Sequence, residues 1–262
     1  MLVQTAPALQ AANRDRVEAF LTTTGFDVAL DSIALSAGTA PQMLGLDPDA
    51  FGAQWQRLSA QVFDTAQMHD LAVEILEQTL GDAALDHAVT FYASDLGQRL
   101  VAVENASHLE DDDLKQAQGR QMVADMVAAG APRLGKLKQM NQAIGGVDVS
   151  LKALQEIQFR TLMAADAADV IHLRIGPDEL RAVLAENEEQ MRMAMSQSSL
   201  AGAAYTYRDF SDAEIDAYTR ALEQPLMQEV YELLNAVQFE IMANRFELLA
   251  RRMAGLQAAE DI

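Results

Sequence analysis

Cysteine is absent from all 262 residues, which excludes disulfides, thiolate zinc sites, iron–sulfur clusters and cysteine nucleophiles. A chain without thiols is compatible with the bacterial periplasm. Aromatic residues make up only 6% of the chain, and proline (6) and glycine (14) are scarce, so few positions interrupt regular structure. Basic residues are few as well: 19 Lys and Arg stand against 39 Asp and Glu, a formal net charge of −20. Residues 1–144 carry 9 basic and 19 acidic side chains and residues 145–262 carry 10 and 20, so the deficit is spread along the chain. Neither half offers the cationic surface that phosphate neutralisation needs, which argues against nucleic acid and anionic membranes as partners. No apolar run approaches the roughly 18 residues of a membrane-spanning helix, so no span is expected.

Half the residues are apolar, with Ala, Leu and 13 methionines prominent among them. Ala and long unbranched side chains lose little entropy in a helix, so the composition favours an all-α fold. The apolar spacing agrees. Val17, Phe20 and Leu21 precede Gly25, and Val28, Leu30, Ile33 and Leu35 precede Gly38, each a 3.6-period stripe ending in a glycine. Asp47-Pro48 reads as a helix start before Phe51, Trp55, Leu58 and Val62. Asp64 starts the next helix, and Asp82 opens a segment running to about His108.

Residues 110–113 (EDDD) place carboxylates at a helix N-terminus, where the helix dipole favours them. A bend or break is expected around Gly130 and Pro132, and Gly145-Gly146 is the best break in the chain. Beyond it, Asp148 caps a helix to about Ile171, and Gly176-Pro177 starts another that runs to Met191–Met195. The small and polar residues 196–203 are expected to weaken or break it. Ser211-Asp212-Ala213-Glu214 is a capping box, and Pro225 ends its helix or starts the last long one, to about Leu256. No segment alternates with period two, so no sheet is expected. The expected architecture is a bundle of roughly 8–11 helices in two similar halves, 13–144 and 147–262. Residues 1–12 are a possible remnant of a signal peptide, because Leu2 to Ala12 is uncharged and rich in small residues.

An offset of 130 aligns residues 82–106 with 212–236 and gives seven identities, among them Asp82/Asp212, Gln98/Gln228 and Asn105/Asn235. Both segments begin at a helix start, and the offset spans the Gly-Gly break, which points to a duplication.

Residues 82–106, DAALDHAVTFYASDLGQRLVAVENA, contain Phe91-Tyr92, Ser94, Gly97-Gln98, Arg99 and Leu100. This pattern resembles the central motif of the domain of unknown function 2059 family, found in secreted or envelope proteins of Gram-negative bacteria. Asp95 stands where the family usually has proline, and Pro225 occupies the matching position of the second copy. In that copy Ala221, Leu222, Gln224 and Met227 replace Phe-Tyr, Ser and Gly, so any role of those residues is lost there. The resemblance implies an all-helical fold and export, and it implies no activity.

Read on its own chemistry, the motif is a corner between helices. Ser94 can cap the segment after it, Gly97 admits a close backbone, and Tyr92 carries one polar tip that needs a partner when buried. The candidate ligand or partner contacts are Tyr92, Ser94, Gly97 and Gln98.

Catalytic motifs are not found. His69, His87, His108 and His172 are never three or four residues apart, so no helical histidine pair exists for a metal. His108 with Glu110, Asp111, Asp112 and Asp113 reads as a solvated helix start rather than a cation loop. There is no Gly-rich phosphate loop or nucleophile elbow, and no metal or cofactor is implied. Met191, Met193 and Met195 read as core more than as an adaptable binding patch.

Three functions follow in order of preference. The first is a non-catalytic helical module of the cell envelope that binds a protein or peptide in a groove between the halves. The second is a helical carrier of a small apolar ligand. The third is an enzyme, which a buried cluster of His and carboxylates with perturbed ionisation would favour.

Overall fold

The computed structural model describes residues 6–39, 43–44 and 52–260, and every regular element among them is helical. Helix α1 (Ala6–Thr24) ends at Gly25, whose left-handed φ of 73° only glycine adopts without strain, and α2 (Phe26–Ser32) starts at once. The stripe expected to continue to Ala37 tightens into a 3₁₀ stretch over Ile33–Thr39. After α3 (Gly52–Val62), α4 (Thr65–Thr79) is capped by Asp64, which accepts from the Gln67 N–H at 2.9 Å. The expected start at Asp47-Pro48, with Phe51, lies outside the described residues. So do residues 1–5 of the N-terminal stretch, while 6–12 are helical.

The segment from Asp82 to His108, with its corner at Ser94, is two helices, α5 (Asp82–Tyr92) and α6 (Asp95–Leu109). Ser94 turns the chain between them: its hydroxyl accepts from the Gly97 N–H at 3.1 Å and donates to the Phe91 carbonyl at 2.6 Å. Asp111 caps α7 (Asp112–Ala128), and α8 (Arg133–Ala143) follows the break at Gly130, with φ of 60°. Helix α9 (Gly146–Ala167) begins three residues earlier than a cap at Asp148 requires. Gly145 at φ 116° ends the preceding helix, and Asp148 sits in the first turn. Then come α10 (Pro177–Ala185) and, after a break at Glu186-Asn187, α11 (Glu188–Thr206). The capping box at Ser211 and Glu214 opens α12 (Asp212–Leu222), and Pro225 starts α13 (Pro225–Glu260). These extra breaks give more helices than the expected 8–11, because short caps split segments that share one apolar stripe.

Residues 196–203 do the opposite of what was expected. They form unbroken helix in α11, and their small size is used for packing. A Cβ placed on Gly119 of α7 would lie 2.1 Å from the carbonyl oxygen of Ala201, so the two backbones touch with no side chain between them. Each helix has too small a stripe to bury alone, and close approach is how they bury each other.

Helix α13 is the spine. It packs along α9 and against α3, α4 and α5, while α11 lies along α7 and α8 sits against α11 and α12. First-half and second-half helices therefore interleave, and one apolar cluster runs from Phe20, Leu30 and Leu76 through Leu100 and Leu137 to Ile215, Val230 and Ile241. Helix α12 starts 130 residues after α5 and has the same length, and α13 starts 130 residues after α6. Their surroundings differ: α5 packs on α1 and α13, whereas α12 packs mainly on α8.

Candidate functional site

Four of the five tyrosines converge on one point. Tyr92 comes from the end of α5, Tyr207 from the end of α11, Tyr218 from α12 and Tyr231 from α13. Their hydroxyls form a chain of contacts: Tyr92 to Tyr231 at 2.5 Å, Tyr231 to Tyr218 at 3.0 Å and Tyr92 to Tyr218 at 3.2 Å. Tyr218 and Tyr207 each donate to Oε1 of Glu104 on α6, at 2.9 and 2.7 Å. The rings pack as well as the tips: Phe91 stacks on Tyr218, and Tyr207 meets Tyr218 edge-on. Tyr92 and Tyr218 are each 2% exposed, so their polar ends depend on this network.

The cluster forms the floor of a cleft of about 250 Å³, with Glu104, Asn105 and His108 of α6 along one side and Leu234, Asn235 and Gln238 of α13 along the other. Thr24, Gly25, Phe26 and Ala29 close it from α1 and α2. Gly25 is required there for space as well as for its backbone, because a Cβ would lie 2.4 Å from Oδ1 of Asn105. Beyond Ile144 and Asn235 a second, more open groove of about 680 Å³ runs between α8, the start of α9 and α11. Ile144 and Asn235 line both hollows, and Asn235 Nδ2 donates to the Ile144 carbonyl at 3.0 Å to hold that wall.

Electrostatics follow from burial. Withdrawal from water raises the Glu104 carboxyl above its ordinary value, and the two tyrosine donors only partly offset that. Withdrawal from water also raises all four phenols, with the nearby Glu104 charge adding to the effect. They stay protonated and act as donors. On the rim, His108 is lowered by the packing around its ring and then by Lys115, although much of its surface is open, so it is neutral at pH 7.

The four residues singled out from the sequence fall into two groups. Tyr92 is in the cluster and lines the cleft. Ser94, Gly97 and Gln98 belong to the corner. Ser94 is the cap, and Gln98 Nε2 donates to the Ala93 carbonyl at 2.9 Å. A Cβ on Gly97 would lie 2.3 Å from the Phe91 carbonyl oxygen and 2.5 Å from the Tyr92 Cα. In the second segment Gln228 plays the same part, donating to the Leu222 carbonyl at 2.5 Å and the Ala143 carbonyl at 2.6 Å.

Glu110 and Asp111 of the acidic run are engaged by Tyr205 and by the α7 cap, at 2.6 and 2.8 Å. Met195 lines the open groove, while Met193 is exposed.

Sequence reasoning missed Tyr207, Tyr218, Tyr231, Glu104 and His108. Two signals were available. Glu104 continues the Leu96, Leu100 stripe at i+4, a carboxylate on a buried face, and Asn105/Asn235 is one of the seven identities.

No similarity was found to a curated protein or to a solved structure. Among the described residues no helix is long and apolar enough to cross a membrane. Residues 66–125 span most of α4, all of α5 and α6 and most of α7, and so include Tyr92, Glu104 and His108. That segment matches the family described as an uncharacterized protein conserved in bacteria, DUF2059, the family that the 82–106 motif resembles.

Proposed function

We propose that this protein is a non-catalytic helical binding module of the bacterial cell envelope, which engages a protein or peptide segment through the open groove and the tyrosine-lined cleft beside it. The observation that carries this reading is the shared wall: Ile144 and Asn235 line both hollows, so a segment lying in the groove can place one side chain in the cleft. The non-catalytic part rests on ionisation. A nucleophile or base needs a lowered or matched pKa, and burial moves all four phenols upward. Glu104 and His108 lie one helical turn apart in the cleft, which keeps an acid–base role as the competing idea. A phenol network held fully protonated serves recognition better than proton abstraction. The envelope assignment draws on the uncharged Leu2–Ala12 stretch and the bacterial family match.

A second reading is a carrier of a small ligand. It draws on the small volume of the cleft and the convergence of polar groups in it.

Photo-crosslinking in cells separates these readings. A benzoylphenylalanine at Gln197, on the groove, should give a discrete protein or peptide adduct. The same residue at exposed Gln78 on α4, outside both hollows, should give none. Absence of an adduct from groove positions would remove the peptide reading and leave the small-ligand one. Fractionation of the same cells tests export, which a wholly cytosolic protein would refute.

A further inference from the structure

We infer that the cleft recognises an ammonium group, seated between the Glu104 carboxylate and the rings of Phe26 and the four tyrosines. This rests on the cleft being the binding site, and it names the chemistry of the occupant. The first argument is a proton count. Tyr207 and Tyr218 spend their hydroxyl protons on Glu104 Oε1. Tyr92 and Tyr231 have two protons left for the three edges of the hydroxyl triangle, so the triangle itself takes up both. No phenol proton remains for a ligand. Asn235 likewise commits its Nδ2 to the Ile144 carbonyl. An anion would find none of these donors free, and the side-chain amides and imidazole that remain on the lining, Asn105, Gln238 and His108, are uncharged.

The second argument is charge. Among the described residues Glu104 is the sole carboxylate lining the cleft, and no Lys or Arg lines it. Among the described residues Glu104 has no cationic partner, and both donors it receives go to Oε1, leaving Oε2 to the open side. A carboxylate drawn partly out of water without a counter-charge is unfavourable, and a cation from outside would relieve it. Burial holds the Glu104 carboxyl above its ordinary value, and a cation seated beside it would bring it back down. Third, rings close to a cation attract it through their electron-rich faces, and this attraction strengthens in a desolvated site. Finally, about 250 Å³ suits a small head group or the end of one side chain.

An ammonium group has two sources, a small free amine or a lysine side chain, and the test distinguishes them. The full chain is titrated with choline, butylammonium and N-acetyl-lysine amide. Their uncharged counterparts are 3,3-dimethylbutan-1-ol and the Nζ-acetylated lysine amide. Binding is followed by calorimetry and by the NMR signals of the tyrosine rings. A charged probe should bind at least about tenfold tighter than its uncharged counterpart, the factor expected of one desolvated cation contact. Glu104→Gln should abolish that preference while the variant still unfolds cooperatively, at or above the parent's melting temperature. Equal binding of the uncharged counterparts, an unchanged preference in Glu104→Gln, or tighter binding of inorganic phosphate would each overturn the inference. So would tyrosine signals that no charged probe moves at roughly 10 mM, a weaker limit than any useful site. Preference for choline or butylammonium points to a free amine, and preference for the lysine amide points to a peptide. Crosslinked peptide adducts without ammonium binding would defeat this inference and leave the proposed function standing. Ammonium binding without adducts would do the reverse for the peptide reading.

Discussion

Gly119 and Gly202 flank the same helix crossing, and one extra methyl at each should have opposite effects. At Gly119 an added Cβ would lie 2.1 Å from the Ala201 carbonyl oxygen and 2.6 Å from its carbon, where ordinary contact begins at 3.4 Å. The obstruction is backbone, so no side chain can swing aside. Helices α7 and α11 would have to separate by about 1 Å, opening the apolar contacts along both. Overpacking of this kind costs about 1–3 kcal/mol, and the helix-propensity gain of alanine over glycine returns only about 0.5–1 kcal/mol. At Gly202, one residue further along α11, the nearest atom to an added Cβ is Gln116 Nε2 at 3.9 Å. Only the propensity gain should remain there. For a domain of this size each kcal/mol moves the melting temperature by about 2–4 °C. Gly119→Ala should therefore lower the midpoint by several degrees, and Gly202→Ala should raise it by about 1–4 °C. Thermal and urea unfolding of the two variants beside the parent provide the measurement. If both variants shift the same way, the backbone contact between α7 and α11 is wrong.

Two predictions concern pH. Burial raises the Glu104 carboxyl, so the folded state holds its proton more tightly than the unfolded one. The resulting stability is complete below the unfolded value and is lost as pH rises through the folded one. Glu104→Gln keeps an acceptor for Tyr207 and Tyr218 but removes this loss, so its stability relative to the parent should climb as pH rises past 4.5, and a parallel pH profile would refute the desolvation argument. Glu214 behaves oppositely: the Ser211 hydroxyl and N–H, then Arg99, hold it down at about 2. Its contribution is present above the unfolded carboxylate value and fades as pH falls toward 2. Ser211→Ala should accordingly lower the melting temperature at pH 7, with the deficit closing as the pH approaches 2. An unchanged deficit would mean that the capping box does not depend on the Glu214 charge.

How much of this could be read from the sequence depends on distance along the chain. Caps act over three or four residues, and Asp64, Asp111, Ser94 and Ser211 all accept the backbone N–H that their positions imply. The all-helical fold follows from summed local signals of that kind. The corner between α5 and α6 is legible in the same Ser94, although one apolar stripe runs on through it. Residues 196–203 misled because composition alone cannot say whether small residues weaken a helix or let a neighbour approach; Gly119, some 80 positions away, decides it. The cleft lay further out of reach. Periodicity assigns Tyr92, Tyr218 and Tyr231 to buried faces without saying that these faces meet across 126 and 139 residues.

The 130-residue offset gains meaning at the cleft. Glu104, Asn105 and His108 line one side, and their counterparts at that offset, Leu234, Asn235 and Gln238, line the other. Of these three pairs one, Asn105/Asn235, is identical, while Glu104/Leu234 and His108/Gln238 differ. The divergence matters for binding. Two carboxylates in so small a space would repel, and one of them would take up a proton that the pair then shares. Leucine at 234 leaves Glu104 as the single carboxylate, and its buried side chain fills the facing wall. Glu104 and Leu234 give the cleft a charged side and an apolar side, the two surfaces that an ammonium carried on a hydrocarbon stem needs.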